Sequence, residues 1–422
     1  MKAYIVAPGG VLRGAVRVPG DKSITHRALI LGSLIARGPR IRLHNWSRAL
    51  DCQSTLAALQ AMGVEAAQIS EYSVEIKTVG LYGLQQPRKI LDVGNSGTAL
   101  RLLTGVLAAQ KFSSVITGDA SLGKRPMRRI IEPLTQMGAS ITAVAGQFAP
   151  LNIIGNQKLC SINYTMAIAS AQVKSAILLA DLYAGGNSTI IEPQICRDHT
   201  EIMLQTLGGG ATDLFIPGDI SAAAFFIVGA SIAPNSKLTI KNVGINPTRT
   251  GIIKILRLMG ANIDIQQQRD ANGELRADLL VSSAKLRGIV VPLDLVPNAI
   301  DELPVILLAA ACADGVTEIR GAAELRYKES DRIALMAQGL TKLGIKVTVY
   351  EDGLAVEGGQ ITGGEVESAG DHRIAMTFAM AALVAHHEII IQDTHNVATS
   401  FPNFAAIAEA AGLLICEESV YA

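Results

Sequence analysis

The sequence predicts an α/β protein of six βαβαββ-sized repeats, three in each of two lobes, with the third repeat truncated. Three observations predict it. Six times a helix-like stretch runs into a Leu-Gly or Met-Gly step and then a new strand, at Met62-Gly63, Met137-Gly138, Leu207-Gly208, Met259-Gly260, Leu343-Gly344 and, less cleanly, Ala411-Gly412. Spacings of 75, 70, 52, 84 and 68 residues are too long for a solenoid and suit a whole βαβαββ unit. Each unit also holds an earlier helix rich in Ala and Leu that opens on a small polar cluster. Finally, 422 residues, 49% apolar but only 4% aromatic, suit two domains of about 200 residues with mixed helix and sheet cores.

The inner helices are expected over Ala28–Ala36, Ala99–Ala109, Lys174–Ala184, Ala222–Ala230, Val305–Ala313 and Ile374–Ala385. They are apolar nearly all round, which predicts burial rather than an amphipathic surface position. The second helix of each unit, such as Arg128–Met137, carries an outer charged face, and short alternating runs such as Ile345–Tyr350 and Ile389–Gln392 read as strands. From each Gly step to the next inner helix the counts are 32, 32, 41 and 27, but only 11 between Gly208 and Asp219. Repeat three therefore lacks roughly twenty residues, about two strands and a turn. No low-complexity linker marks a boundary, so the repeat phase sets it: 20–219 for repeats one to three, and 1–19 with 220–422 for the other lobe. The leading strand pattern, Gly10–Pro19, is expected to complete the last repeat's sheet.

Net charge is zero, with 37 basic and 37 acidic residues, so no global field draws in nucleic acid or a membrane surface. Attraction for anions must be local. Five scattered cysteines without CxxC or Cys/His spacing argue against structural zinc and a disulfide framework. His26, His199 and His372 lack metal-ligand spacing, and no metal site is expected. With no apolar leader and no run of eighteen apolar residues, the chain reads as a cytoplasmic protein with reduced thiols. The absence of an apolar surface stripe points to a monomer.

The polar clusters at the inner helix starts are where function is sought, because a helix N-terminus presents unpaired N–H groups and partial positive charge. The densest is Asp21-Lys22-Ser23-Ile24-Thr25-His26-Arg27, with Arg27 one turn beyond Ser23. Lysine, hydroxyl, guanidinium and free amides together suit a phosphate or carboxylate, or form a capped, solvated helix start. The glycine spacing is wrong for a P-loop. Of Arg125, Arg128 and Arg129, only one is expected to face a ligand. Lys328-Glu329-Ser330-Asp331-Arg332 reads as Lys328 and Arg332 at i,i+4 on one helical face. This is either a surface ladder or, with Asp301 and Glu302, a carboxylate and cation set for acid–base work. Asp371-His372-Arg373 heads a further apolar helix, and serine–histidine catalysis has no sequence support.

These residues resemble the enolpyruvyl transferase family, in the branch that acts on shikimate 3-phosphate. The resemblance spans nearly the whole chain through VPGDKSITHRAL, LDVGNSGTALRLL, GDASLGKRPMRR, ASAQVKSAILLA, RDHTEIML, PGDISAAAFF, IDELPVILLAA, AAELRYKESDRI, GDHRIAM and TSFPNF, in family order. It implies a two-lobed inverse α/β barrel-like fold whose lobes close over the substrates. It also implies condensation of shikimate 3-phosphate with phosphoenolpyruvate, with release of phosphate and without metal or organic cofactor. Matched motif by motif, Lys22, Ser23, Arg27, Ser170, Gln172, Arg197, Asp301 and Lys328 are the implied shikimate-phosphate set. Lys22, Gly97, Arg125, Gln172, Arg332 and Arg373 are the implied phosphoenolpyruvate set. Asp301 is the candidate base toward the shikimate hydroxyl, and Glu329 and Lys22 are candidates for proton traffic at the enol methylene.

Three departures stand out: the short repeat three, Cys196 where Ser or Thr is usual, and Ala222 where a second serine is usual. The deletion is expected to lower the stability of the first lobe and threatens the placement of Arg197. A rival is the sister enzyme acting on UDP-N-acetylglucosamine, but this chain has Ala120 where that enzyme has a loop cysteine, and Ser23 where it has Asn. A binding paralogue without turnover is the rival of another class. Glyphosate resembles the phosphoenolpyruvate-site ligand of this family, and Gly97 predicts sensitivity to it.

Overall fold

The computed structural model describes residues 2–419 and realises the six-repeat α/β plan. It divides into two compact units. One holds Gly20–Ile216 with Asp270–Glu274, and the other holds Met1–Pro19, Pro217–Arg269 and Leu275–Ala422. Repeats one to three lie in the former and repeats four to six in the latter. The exception is the five-residue tip of repeat four's hairpin, which groups with the former.

Repeat two shows the whole pattern. Leu91–Asp92 runs parallel to Ser114–Thr117 across the Gly97–Leu107 helix. The Arg128–Gln136 helix then leads into Ser140–Val144 and Phe148–Ile154, which close the sheet antiparallel. Other repeats borrow strands. Repeat one takes Asp213–Phe215, parallel to Arg40–His44. Repeat four takes Arg13–Val16, parallel to Lys237–Gly244. Lys2–Gly10 completes repeat six, antiparallel to Ile389–Gln392 and Leu413–Ser419. The expectation that Gly10–Pro19 closes the last sheet is therefore corrected. Gly9 and Gly10 both take positive φ (86° and 108°) at the end of the first strand, and the segment after them joins a different sheet.

In the unit of repeats four to six the inner helices are apolar all round and accordingly buried. Leu303–Ala311 and His372–Ala381 are buried at every position, and Ile220–Ile232 at all but its last. They pack against one another. Five aromatics cluster here: Tyr4, Phe225, Phe226, Phe401 and Phe404 have ring centroids 5.6 to 6.3 Å apart in successive pairs. Burying each such side chain contributes about 1.5–3 kcal/mol. In the other unit the inner helices Lys22–Ile35, Gly97–Leu107 and Ala171–Asp181 form the centre. There the second and third approach so closely that a Cβ at Gly105 would sit 2.3 Å from the Ala176 carbonyl oxygen.

Most outer helices end as the Gly steps require, with left-handed glycine at Gly63, Gly138, Gly260, Gly344 and Gly412. Repeat three departs from this. Gly208 is still helical, and the left-handed residue is Gly210, with φ of 93°. Its two strands, Asn163–Thr165 and Thr189–Ile191, form a parallel pair, and among the described residues no antiparallel pair lies between the His199–Gly208 helix and the next inner helix at Ile220. The hairpin tip at Asp270–Glu274 meets that helix instead. Asn272 accepts a hydrogen bond from Thr206 Oγ1 (2.8 Å) through its carbonyl and one from Phe215 N (3.0 Å) through Oδ1.

Gly105→Ala is expected to cost about 1–3 kcal/mol, because the added methyl has only backbone to displace. Urea unfolding checks this, and an unchanged midpoint would contradict the close helix contact.

Candidate active site

In the unit of repeats one to three, Asp21 caps the Lys22–Ile35 helix, its Oδ1 accepting from Ile24 N at 2.9 Å. The cap places Lys22 and Ser23 in the first turn. Lys22 Nζ pairs with Asp51 Oδ2 at 2.8 Å. Burial, with the charges of Lys22 and Arg27, pushes the His26 pKa well below its ordinary value. This neutral ring shares a 2.7 Å hydrogen bond with Thr55 and pins two helices. Arg27 is buried and donates from Nε to Thr200 Oγ1 (2.7 Å), from one terminal nitrogen to Ser175 Oγ (2.7 Å) and from the other to the Ser23 carbonyl (2.9 Å). It thus ties the first helix of repeat one to both helices of repeat three.

A second group surrounds the Gly97–Leu107 helix start, which Ser96 caps through Ala99 N at 3.1 Å. Gln172, just inside the helix capped by Ser170, accepts from Arg101 (2.7 Å) and donates to Thr98 Oγ1 (2.9 Å). Arg125 is buried and donates to Asn95 Oδ1 at 2.9 Å. Arg128 is exposed on Glu132 at 2.5 Å. A Cβ on Gly97 would lie 2.7 Å from one Arg101 nitrogen and 3.3 Å from one of Arg125. Arg101 was missed in the sequence, where its signal was a lone charge four residues beyond Gly97 in an apolar helix.

Repeat three keeps its polar loop in spite of its shortness. Lys174 Nζ lies 2.8 Å from Glu192 and 2.6 Å from Glu201. Glu192 Oε2 accepts from Cys196 N (3.0 Å) and Sγ (2.6 Å). Burial, then this hydrogen bond, pushes the Cys196 thiol up to about 12, so it stays protonated and donates. Arg197 follows directly, half-buried, and the buried pair His199–Glu274 (2.6 Å) anchors the helix behind it.

In the unit of repeats four to six, charges converge on Asp371. Its fully buried carboxylate caps the His372–Ala381 helix at Arg373 N (2.9 Å). It also accepts from Arg332 Nε (2.8 Å) and Ser330 Oγ (2.9 Å). Arg332, 1% exposed, also reaches Glu329 Oε2 at 2.6 Å and lies 3.8 Å from Asp301. Lys328 Nζ is 3.4 Å from the same Asp301 oxygen, and Arg373 donates to the Asp301 carbonyl at 2.8 Å. Five residues singled out in the sequence therefore meet: Asp301, Lys328, Glu329, Arg332 and Arg373. The reading of Lys328 and Arg332 on one helical face is corrected. Lys328 lies outside the helix, which starts at Arg332 behind its Asp331 cap, and the two meet through Asp301 instead. Burial alone would raise the Asp371 carboxyl, but the Arg332 charge outweighs it and holds the group below the usual carboxylate range.

Both groups are helix N-termini dressed with cations, arrangements suited to phosphate and carboxylate. In the unit of repeats four to six the carboxylates Asp301 and Glu329 lie among those cations, as acid–base work on a bound anion requires.

A model of the family EPSP synthase (3-phosphoshikimate 1-carboxyvinyltransferase) matches residues 6–213 and 209–407. A 3-phosphoshikimate 1-carboxyvinyltransferase of Alkalilimnicola ehrlichii is 51% identical over 432 aligned positions, covering 98% of this chain and 96% of that protein. One of Acidithiobacillus ferrooxidans is 53% identical, covering 98% and 99%. Among solved structures, EPSP synthase from Acinetobacter baumannii superposes with TM-score 0.88 at 45% identity, covering 99% of this chain and all of that one. The enolpyruvyl transferase NikO from Streptomyces tendae shares the fold at 17% identity, with TM-score 0.79.

Asp371→Asn tests the buried pair. Because the folded pKa is depressed, the stability from this carboxylate is present above the unfolded value of about 3.9 and lost as pH falls through the lower folded value. The variant is expected to lose about 3–5 kcal/mol at neutral pH and to lose less than wild type on further acidification. Urea unfolding between neutral and acid pH measures both, and a wild-type acid slope in the variant would contradict the pairing.

Proposed function

The chain belongs to the EPSP synthase (3-phosphoshikimate 1-carboxyvinyltransferase) family, and we propose that it transfers the enolpyruvyl group of phosphoenolpyruvate to the 5-hydroxyl of shikimate 3-phosphate. Phosphate is released, and the product feeds chorismate and aromatic amino acid synthesis. The observation that carries this reading is the Asp371–Arg332–Glu329 arrangement with Arg373, Asp301 and Lys328 beside it.

Both substrates are polyanions. Lys22, Ser23, Arg27, Ser170, Gln172, Arg197, Asp301 and Lys328 hold shikimate 3-phosphate, and Lys22, Gly97, Arg125, Gln172, Arg332 and Arg373 hold phosphoenolpyruvate. Two geometric facts support the assignment. Arg27 donates to hydroxyls of both repeat-three helices, one of them Thr200, three positions after Arg197 in the chain. Gly97, Gln172 and Arg125 surround one helix start. In the addition step the shikimate hydroxyl oxygen bonds to the enol carbon, its proton leaves to Asp301, and the methylene gains a proton from Glu329 or Lys22. In the elimination step the new methyl group returns a proton and the carbon–oxygen bond to phosphate breaks. The fixed guanidinium groups offset charge as it moves and hold the reactants in line. The enzyme acts in the cytoplasm as a monomer, and its exposed large apolar side chains, such as Tyr82, Ile195, Val290 and Tyr327, are spread over both units.

Phosphate release from the two substrates tests the reaction. Asp301→Asn and Glu329→Gln are each expected to lower kcat by about 100-fold or more. Unchanged rates would remove the acid–base roles, and silence of the wild type would remove the reaction itself. Gly97→Ala is expected to push Arg101 aside, raise the KM for phosphoenolpyruvate and weaken inhibition by glyphosate. Equal inhibition of both forms would refute the steric argument.

A further inference from the structure

One buried carboxylate beside this set has no part in the steps above. Glu302 follows Asp301 at the start of the Leu303–Ala311 helix and is 1% exposed. Its Oε1 accepts a short hydrogen bond from Ser221 Oγ and lies 3.6 Å from a terminal nitrogen of Arg373. Ser221 Oγ in turn accepts from Arg249 at 2.9 Å, and the same Arg249 nitrogen lies 3.5 Å from Asp219, which caps the Ser221 helix. The direction of this chain is fixed. A guanidinium only donates, so the single hydroxyl proton of Ser221 goes to Glu302.

Arg373 is 8% exposed, so solvent does little to set its orientation. Asp371 holds its backbone N–H at 2.9 Å and the Asp301 carbonyl accepts from its NH1 at 2.8 Å. Glu302 adds the one side-chain carboxylate described against that guanidinium. A buried carboxylate so placed needs its cation close, and the cation is held in turn. We propose that Glu302 is a positioning residue, kept in place by the Arg249–Ser221 relay, that aims Arg373 at the phosphoenolpyruvate anion. This rests on the assignment of Arg373 to that substrate.

Steady-state kinetics on Glu302→Gln decide it. The variant is expected to lose about tenfold in kcat/KM for phosphoenolpyruvate, with the KM for shikimate 3-phosphate within about twofold of wild type. In an Arg373→Lys background the same change is expected to have an effect of about twofold or less, because the residue it acts through is already altered. Ser221→Ala is expected to shift the same parameter in the same direction by a smaller factor. Equal effects on both substrates, a lowered melting temperature with unchanged phosphoenolpyruvate kinetics, or additive effects with Arg373→Lys would overturn the assignment. A wild type that releases no phosphate would instead overturn the functional reading on which it rests.

Discussion

The ion pair of Asp371 with Arg332 is the constraint from which the charged half of the site follows. Both groups are sealed from solvent, at 0% and 1% side-chain exposure, so neither can stand without the other. Asp371 caps the His372–Ala381 inner helix by accepting from the Arg373 N–H that its first turn would otherwise leave unpaired. A capping carboxylate then fixes an arginine, and that arginine gathers Glu329 and Asp301. Helix termini call for acids, acids fix bases, and the bases are left arranged for an anion.

The two units answer the same need differently. In repeats four to six the inner helices start at Asp219, at Asp301-Glu302 and at Asp371, and the arginines there bond to carboxylates. In repeats one to three two of the three caps are Ser96 and Ser170, and the bonds described for Arg27 and Arg125 go to hydroxyls, an amide and carbonyls. Repeat three lost two strands without losing this character. The Lys174–Glu192–Glu201 cluster and the hairpin tip at Glu274 fasten the segment that carries Arg197.

Much of this was legible in the sequence, and for physical reasons. Helices apolar all round must be buried, and a glycine that ends a helix marks its phase, so the repeats and their inner helices showed plainly. The truncation showed as a missing interval. Strand borrowing did not, because Arg13–Val16 and Asp213–Phe215 pair with strands far along the chain, and pairing has no local signature. Spacing also misled at Lys328 and Arg332, where i,i+4 suggested one helix and the cap at Asp331 starts the helix later. Arg101 escaped notice because it looked like a lone charge in an apolar run, and Glu302, though singled out beside Asp301, gave no sign of the partner it takes. Their partners, Ser221 at 81 positions' remove and Gln172 at 71, are neighbours only in the fold.

A crystal structure with shikimate 3-phosphate and phosphoenolpyruvate both bound tests the central claim most directly. The account predicts anionic oxygens on Lys22, Arg27 and Arg125 and on Lys328, Arg332 and Arg373, with Arg332 still bonded to Asp371. Substrates bound by one of these groups alone, with the other facing solvent, would contradict it.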